Sequence, residues 1–109
     1  MNIVTLVGRV TKIDTMYDND TPKIKVTMAV HRDYKNEDGI YEVDFLPVTA
    51  TGTIAEKVKE YAKIGDVMSV RGSLQFEKHI NEDNGYVSEK LEIIANKVSF
   101  LVSAGTKIN

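Results

Sequence analysis

The sequence predicts an all-β domain with one short helix, and three observations predict it. β-Branched residues crowd several short alternating runs, Gly/Asn/Asp clusters punctuate those runs, and one central segment switches from a period of two to a helical period. At 109 residues the chain sits at the low end of the roughly 100 to 200 expected of one domain. A single unit over residues 1–102 with a short, loosely tied tail over 103–109 is therefore expected. A chain of this size buries about two-thirds of its unfolded surface and needs no covalent staple. With no cysteine, disulfides, thiolate metal sites and cysteine nucleophiles are excluded together.

The first run, "NIVTLVGRV", reads as a strand in which Gly8 marks a bend or bulge. "YDNDTP", residues 17–22, is a concentrated turn signal. "KIKVTMAVH" then alternates strictly, with Ile24, Val26, Met28 and Val30 on one face, and is the clearest strand. "KNEDG", residues 35–39, has hairpin-loop composition, so a third strand begins near Ile40 and pairs antiparallel with the second. In that strand Tyr41, Val43 and Phe45 share one face and Leu46, Val48 and Ala50 the other, with Pro47 implying an edge or a bulge. "TGTIAEKVKEYAKIG" places Ile54, Val58, Tyr61 and Ala62 on one helical face. Thr53 and Glu56 fit a capping box, and Gly65 fits the position past the helix end. "DVMSVRGSLQF" alternates through Met68, Val70, Leu74 and Phe76, with Gly72 allowing a tight bend, which makes Phe76 a core candidate. A second loop, residues 81–85, precedes "YVSEKLEII", and Val98 and Phe100 suggest a last extended piece.

Three strands, a capped helix and two more strands is the order of the OB-fold, a five-stranded Greek-key β-barrel whose exposed strand face and loops bind oligonucleotides. The same pattern also fits an open α+β sandwich.

Net charge is −2, which by itself argues weakly against a polyanionic partner. Its distribution is uneven: residues 1–35 carry six bases against four acids, residues 36–66 three against seven, and the remainder balances. No glycine-rich phosphate loop with its lysine and no nucleophile motif is present, so no enzyme is expected. His31 and His79 lack nearby spaced ligands, and Asp18 and Asp20 lack the glycine and distant glutamate of a calcium loop, so neither a metal nor a cofactor is expected. The opening apolar run is short and has no basic residue before it, and no segment approaches the about 18 apolar residues of a membrane span. A soluble cytoplasmic domain is the expectation.

"NIVTLVGRVTK", "VTMAVHR", "YEVDFLPV" followed by a short helix, and "KIGDVMSVRGSLQ" resemble, in order and over about the first 101 residues, the DNA-binding domain of bacterial single-stranded DNA-binding proteins. The resemblance implies an OB-fold, sequence-tolerant binding of single-stranded DNA, with RNA as a further candidate, in replication, repair or recombination, and assembly as a homotetramer. Such binding needs aromatic faces for bases and cations for phosphates. By resemblance, Tyr34 and Phe45 fall at stacking positions, and His79 and Thr51 stand where the family usually has further aromatics, which weakens the platform. Arg9, Arg32, Lys35, Arg71 and Lys78 sit where bases would line the strand path, diluted by Glu77 and the acidic second loop. Binding weaker and more salt-sensitive than in a typical member is expected. Phe45 reads equally as a core or interface ring, whereas Tyr34, among charged neighbours, favours stacking. Tyr41 and Tyr61 read as structural. The rival reading is an OB-fold protein-interaction module of the primosomal-adaptor type. The family usually continues into a flexible linker with an acidic tip. This chain stops at "SAGTKIN", and if it is complete, recruitment of partners by that route is not expected.

Overall fold

The computed structural model describes residues 1–18 and 21–103. Five strands, β1 (Val4–Asp18), β2 (Thr21–Lys35), β3 (Tyr41–Thr51), β4 (Val67–Ile80) and β5 (Val87–Val102), and one helix, α1 (Gly52–Tyr61), follow in the predicted order. They close a barrel in the spatial order β1-β2-β3-β5-β4. Closure excludes the open sandwich. Residues 19–20 of the expected turn and 104–109 of the expected tail lie outside the described residues, and β1 and β2 pair through to Asp18 and Thr21.

β1 does two jobs, pairing with β4 over residues 4–9 and with β2 over residues 9–18. The handover falls beside Gly8, where an added Cβ would lie 2.4 Å from the Ala29 carbonyl oxygen, so only glycine lets the two backbones approach. A second close approach occurs at Gly72. Its Cβ would lie 2.0 Å from the Ile94 carbonyl oxygen, and the β4–β5 register slips between Arg71 and Gly72. The bend expected there is a bulge. β3 and β5 pair in parallel only through Val48/Ile93 and Thr49/Ile94. Pro47 therefore stands just before that ladder begins, where its missing N–H costs no bond to β5.

Alternation fills the barrel. Val10, Ile24, Val26, Met28, Val48, Ala50, Met68, Val70, Ala95 and Val98 are buried together, and α1 plugs the cluster with Ala55 and Val58. The helix begins two residues earlier than its capping box would allow. Thr51 is the N-cap without a side-chain bond, because it still belongs to β3 opposite Lys23, so Thr53 and Glu56 lie inside the first turns. Nor does Gly65 end the helix. Ala62 is the C-cap, and Gly65 lies in the following turn, where its N–H donates to the Val10 carbonyl. Tyr61 packs at 6.2 Å from Phe100 and stays exposed.

Both predicted hairpin loops form, and by the same chemistry. Asn36 accepts the N–H groups of Asp38 and Ile40 on its side-chain oxygen, and Asn81 accepts that of Asp83. The core assignment of Phe76 is corrected. It does share the face of Met68, Val70 and Leu74, but β4 and β5 run on beyond the barrel as a two-stranded arm, and the ring is 67% exposed.

Candidate nucleic-acid interface

Residues directly opposite each other in antiparallel strands share a face. Because Val10, Met28 and Leu46 point inward, the register leaves one row of outward side chains across three strands: Arg9 on β1, Ala29 on β2 and Phe45 on β3. Lys12, Thr27 and Pro47 form the next row, then Asp14, Lys25 and Thr49, then Met16, Lys23 and Thr51. Ala29 has only a methyl group, so nothing in its row screens the Phe45 ring, which is 64% exposed. Arg9 stands two strands away, roughly 10 Å at ordinary strand spacing, and donates to the Gly65 carbonyl at 2.7 Å. That bond fixes the guanidinium beside the row and leaves further donors for a phosphate.

At the far end of the hairpin, Val43 and Tyr41 continue the Phe45 face, and Lys35 holds its ammonium 5.6 Å from the Tyr41 ring centroid, a cation–π contact. Tyr41, expected to be structural, is exposed here. Between His31 and Lys35 the pairing slips. In that irregular stretch Tyr34, 65% exposed, lines an open cleft of about 500 Å³ with Leu6 and Val7 of β1, so the structure sets Tyr34 and Phe45 in different settings.

Arg32 is committed elsewhere. Its Nε and Nη2 donate to the two Asp44 carboxylate oxygens at 3.0 and 3.1 Å, and Nη1 donates to Glu42 at 2.6 Å. The fork against Asp44 is bidentate. It raises the arginine's pKa further and holds the Asp44 carboxyl below its ordinary value, with the hydrogen bond from Arg32 as the largest cause. One cation between two carboxylates leaves the spot acidic, which disfavours a phosphate there even though the three bonds use only three of the five guanidinium N–H groups. Arg71 is also apart, in an outward row with Thr5 and Lys97 on the β1–β4–β5 wall. Lys78 pairs with Glu89 at 3.8 Å on the arm, and His79, one residue on, faces the other side with Glu77, 3.9 Å away.

What the sequence reading missed is a set of lysines. Lys12, Lys23 and Lys25 occupy the outward rows beside Phe45, and Lys90 reaches the same region from β5. The signal was present: Lys23 and Lys25 alternate with Ile24 and Val26, so burial of one set dictates exposure of the other. Lys12 is tied to Asp14 at 3.6 Å and Lys23 to Glu77 at 3.9 Å. Glu77 and Glu92 are neighbours on the same face of the arm. Burial, then contact with Glu77, raises the Glu92 carboxyl above the ordinary range, so Glu92 is the one of the two that takes a proton first.

The rows can therefore offer a ring, flanking cations and a small-residue gap in which a flat base fits. Comparison with known proteins gives the family. The single-strand binding protein family matches residues 1–101. Single-stranded DNA-binding protein 1 of Clostridium acetobutylicum is 35% identical over 93% of this chain and 94% of its own length. Single-stranded DNA-binding protein B of Bacillus subtilis is 36% identical over 92% and 89%. Among solved structures, the small single-stranded DNA-binding protein from Streptomyces coelicolor superposes with a TM-score of 0.65 at 21% identity, over 90% of this chain and 92% of that one, which bears on the fold alone. A five-stranded barrel with one helix in the OB-fold order, matched along nearly its whole length by one family and by relatives above 30% identity, leaves one assignment: the chain belongs to the single-strand binding protein family.

Proposed function

We propose that this chain binds single-stranded DNA with little regard to sequence, acting in replication, recombination or repair in the cytoplasm, with residues 1–102 as the binding domain. It is a binding protein and not an enzyme, as its family is. The observation that carries the reading is the Arg9–Ala29–Phe45 row: a large ring left in solvent on a strand face, bordered by a fixed guanidinium and by lysines. A base stacked on such a ring gains roughly 1 to 3 kcal/mol whatever its identity, and lysines beside it neutralise phosphates. Phe45 is the main platform, with Tyr34 and His79 as outlying contacts. Arg9 and Lys35 guide phosphates on the hairpin, Arg71 and Lys78 serve further along the path, and Arg32 serves first to brace the hairpin. RNA offers the same base faces and phosphates and is expected to compete.

Titrating a fluorescent oligo-dT at low and high salt, with duplex as control, tests the proposal. Binding that favours the single strand and weakens with salt is expected, and equal binding of duplex would overturn it.

We also propose a homotetramer. Residues 4–8 of β1 pair with β4 on one side only, and Ile3 and Val7 are exposed. An apolar strand edge of this kind invites pairing with another copy. Sedimentation as a monomer at micromolar concentration would remove this assembly. A second reading, a protein-interaction module, has one observation in its favour: the arm presents Leu74, Phe76, Ile80, Val87 and Leu91 on one exposed face. Failure to bind oligo-dT at low salt would promote it.

A further inference from the structure

We propose that Lys25 and Lys90 form a seat for one phosphate of the bound strand, at the mouth of the narrow crevice where the β4–β5 arm meets β2 and β3. This placement rests on the strand-binding reading above and adds to it a residue pair and a direction for the strand. The crevice exists because β5 leaves β3 next to Pro47. It is lined by Lys25, Pro47 and Thr49 from the barrel wall and by Lys90, Leu91 and Glu92 from the arm. Thr49 points outward by strand alternation and is nevertheless only 3% exposed, so the arm covers this part of the wall.

Charge inside the crevice is unbalanced. Lys23 has Glu77 as a partner, but among the described residues no carboxylate lies within 4.0 Å of the Lys25 or the Lys90 ammonium. The Lys25 ammonium is held below its ordinary pKa by burial, then by contact with Lys90, and the charge of Glu92 only partly opposes this. Two ammonium groups that meet at the mouth of one cleft repel each other, and an anion between them turns that repulsion into two attractions. Glu92 lines the cleft beside Glu77 and makes no ion pair within 4.0 Å with either lysine, so it offsets their charge only in part. Phe45 lies two residues from Pro47 on the same outward face, roughly 7 Å along the strand. A single strand whose base stacks on Phe45 can thus set a neighbouring phosphate between the two lysines, running along the base of the arm rather than out past the Tyr41 end.

The test compares the full chain with the Lys25→Ala/Lys90→Ala double variant and with Lys25→Arg/Lys90→Arg. Fluorescent oligo-dT is titrated at several salt concentrations, in parallel with an oligomer of the same length carrying an abasic stretch. Losing one phosphate contact should lower the slope of log affinity against log salt by about 0.7 for the alanine pair, on both oligomers, with the arginine pair restoring it. Phe45→Ala should instead weaken oligo-dT and leave the salt slope unchanged. If the alanine pair melts as the parent does and keeps its slope while Phe45→Ala still weakens binding, the seat is wrong and the strand-binding reading stands. If the parent protein binds neither oligomer, both fall. Should the alanine pair fold poorly, Glu92→Gln gives the answer by the opposite sign: removing a competing charge from the crevice must tighten binding at low salt, and unchanged binding overturns the seat.

Discussion

The β2–β3 and β4–β5 hairpins are built alike at their tips and differ in what their faces do. Each turns on an asparagine that caps its own loop, Asn36 or Asn81, within an acidic, glycine-ended stretch. In the β2–β3 hairpin the inward face enters the core through Met28, Val26 and Val48, and the outward face carries Phe45. In the β4–β5 arm the face continuous with the core leaves the barrel after Gly72, and its apolar residues meet solvent. The lesson is that alternation fixes which residues share a face, while closure of the barrel decides whether that face is buried.

The comparison breaks most severely at the pivot. Gly72→Ala would thrust a methyl group into the Ile94 carbonyl, and backbone cannot yield there without unpicking the bulge that makes the arm. We expect a loss of several kcal/mol, on the order of the largest single-site effects, read as a sharp fall in melting temperature. Met28→Ala deletes a fully buried side chain from the core and should cost about 2 to 5 kcal/mol of stability in a denaturant titration. Phe76→Ala sharpens the contrast. As a core ring it would cost about 3 to 5 kcal/mol, but as an exposed arm residue it should change stability by less than about 0.5 kcal/mol.

The smallest effect concerns the brace under the first hairpin. Arg32 lowers the Asp44 pKa, so in the folded state this carboxylate keeps its charge below the unfolded value of about 3.9. The stabilisation it gives is present above that unfolded value and is lost as pH falls through the folded one. The melting difference between the parent and Arg32→Ala should therefore be constant at neutral pH and vanish in strong acid. Both groups are exposed, so the difference itself is expected to be small.

Much of this was legible in the sequence for physical reasons. Strict alternation from Lys23 to Val30 dictated β2 and its buried face, and the change of period after Thr51 dictated the helix. The two asparagine loops were readable because short polar side chains bond to their own backbone. What stayed hidden depended on contacts distant in sequence. Thr53 and Glu56 look like a cap only if the helix begins after Thr53, whereas it begins at Gly52, directly after the last β3 pair, Thr51 with Lys23. Phe76 obeys its alternation and still escapes the core, because nothing in "SVRGSLQF" records that the barrel rim lies near Gly72. Arg32 looks like a phosphate guide until the register brings Asp44 and Glu42 around it. The meeting of Lys25 with Lys90 joins residues on two strands that never pair, and no local pattern announces it.

The central claim is that the outward face of β2–β3, and not the apolar face of the arm, receives the bases. Measuring oligo-dT affinity at one fixed low salt for Phe45→Ala and Phe76→Ala tests it most directly, with melting curves to show that both are folded. The account predicts that Phe45→Ala weakens binding by roughly 1 to 3 kcal/mol, the scale of a lost stack, and that Phe76→Ala stays near the parent. A loss confined to Phe76→Ala, with Phe45→Ala binding at parental affinity, would contradict it.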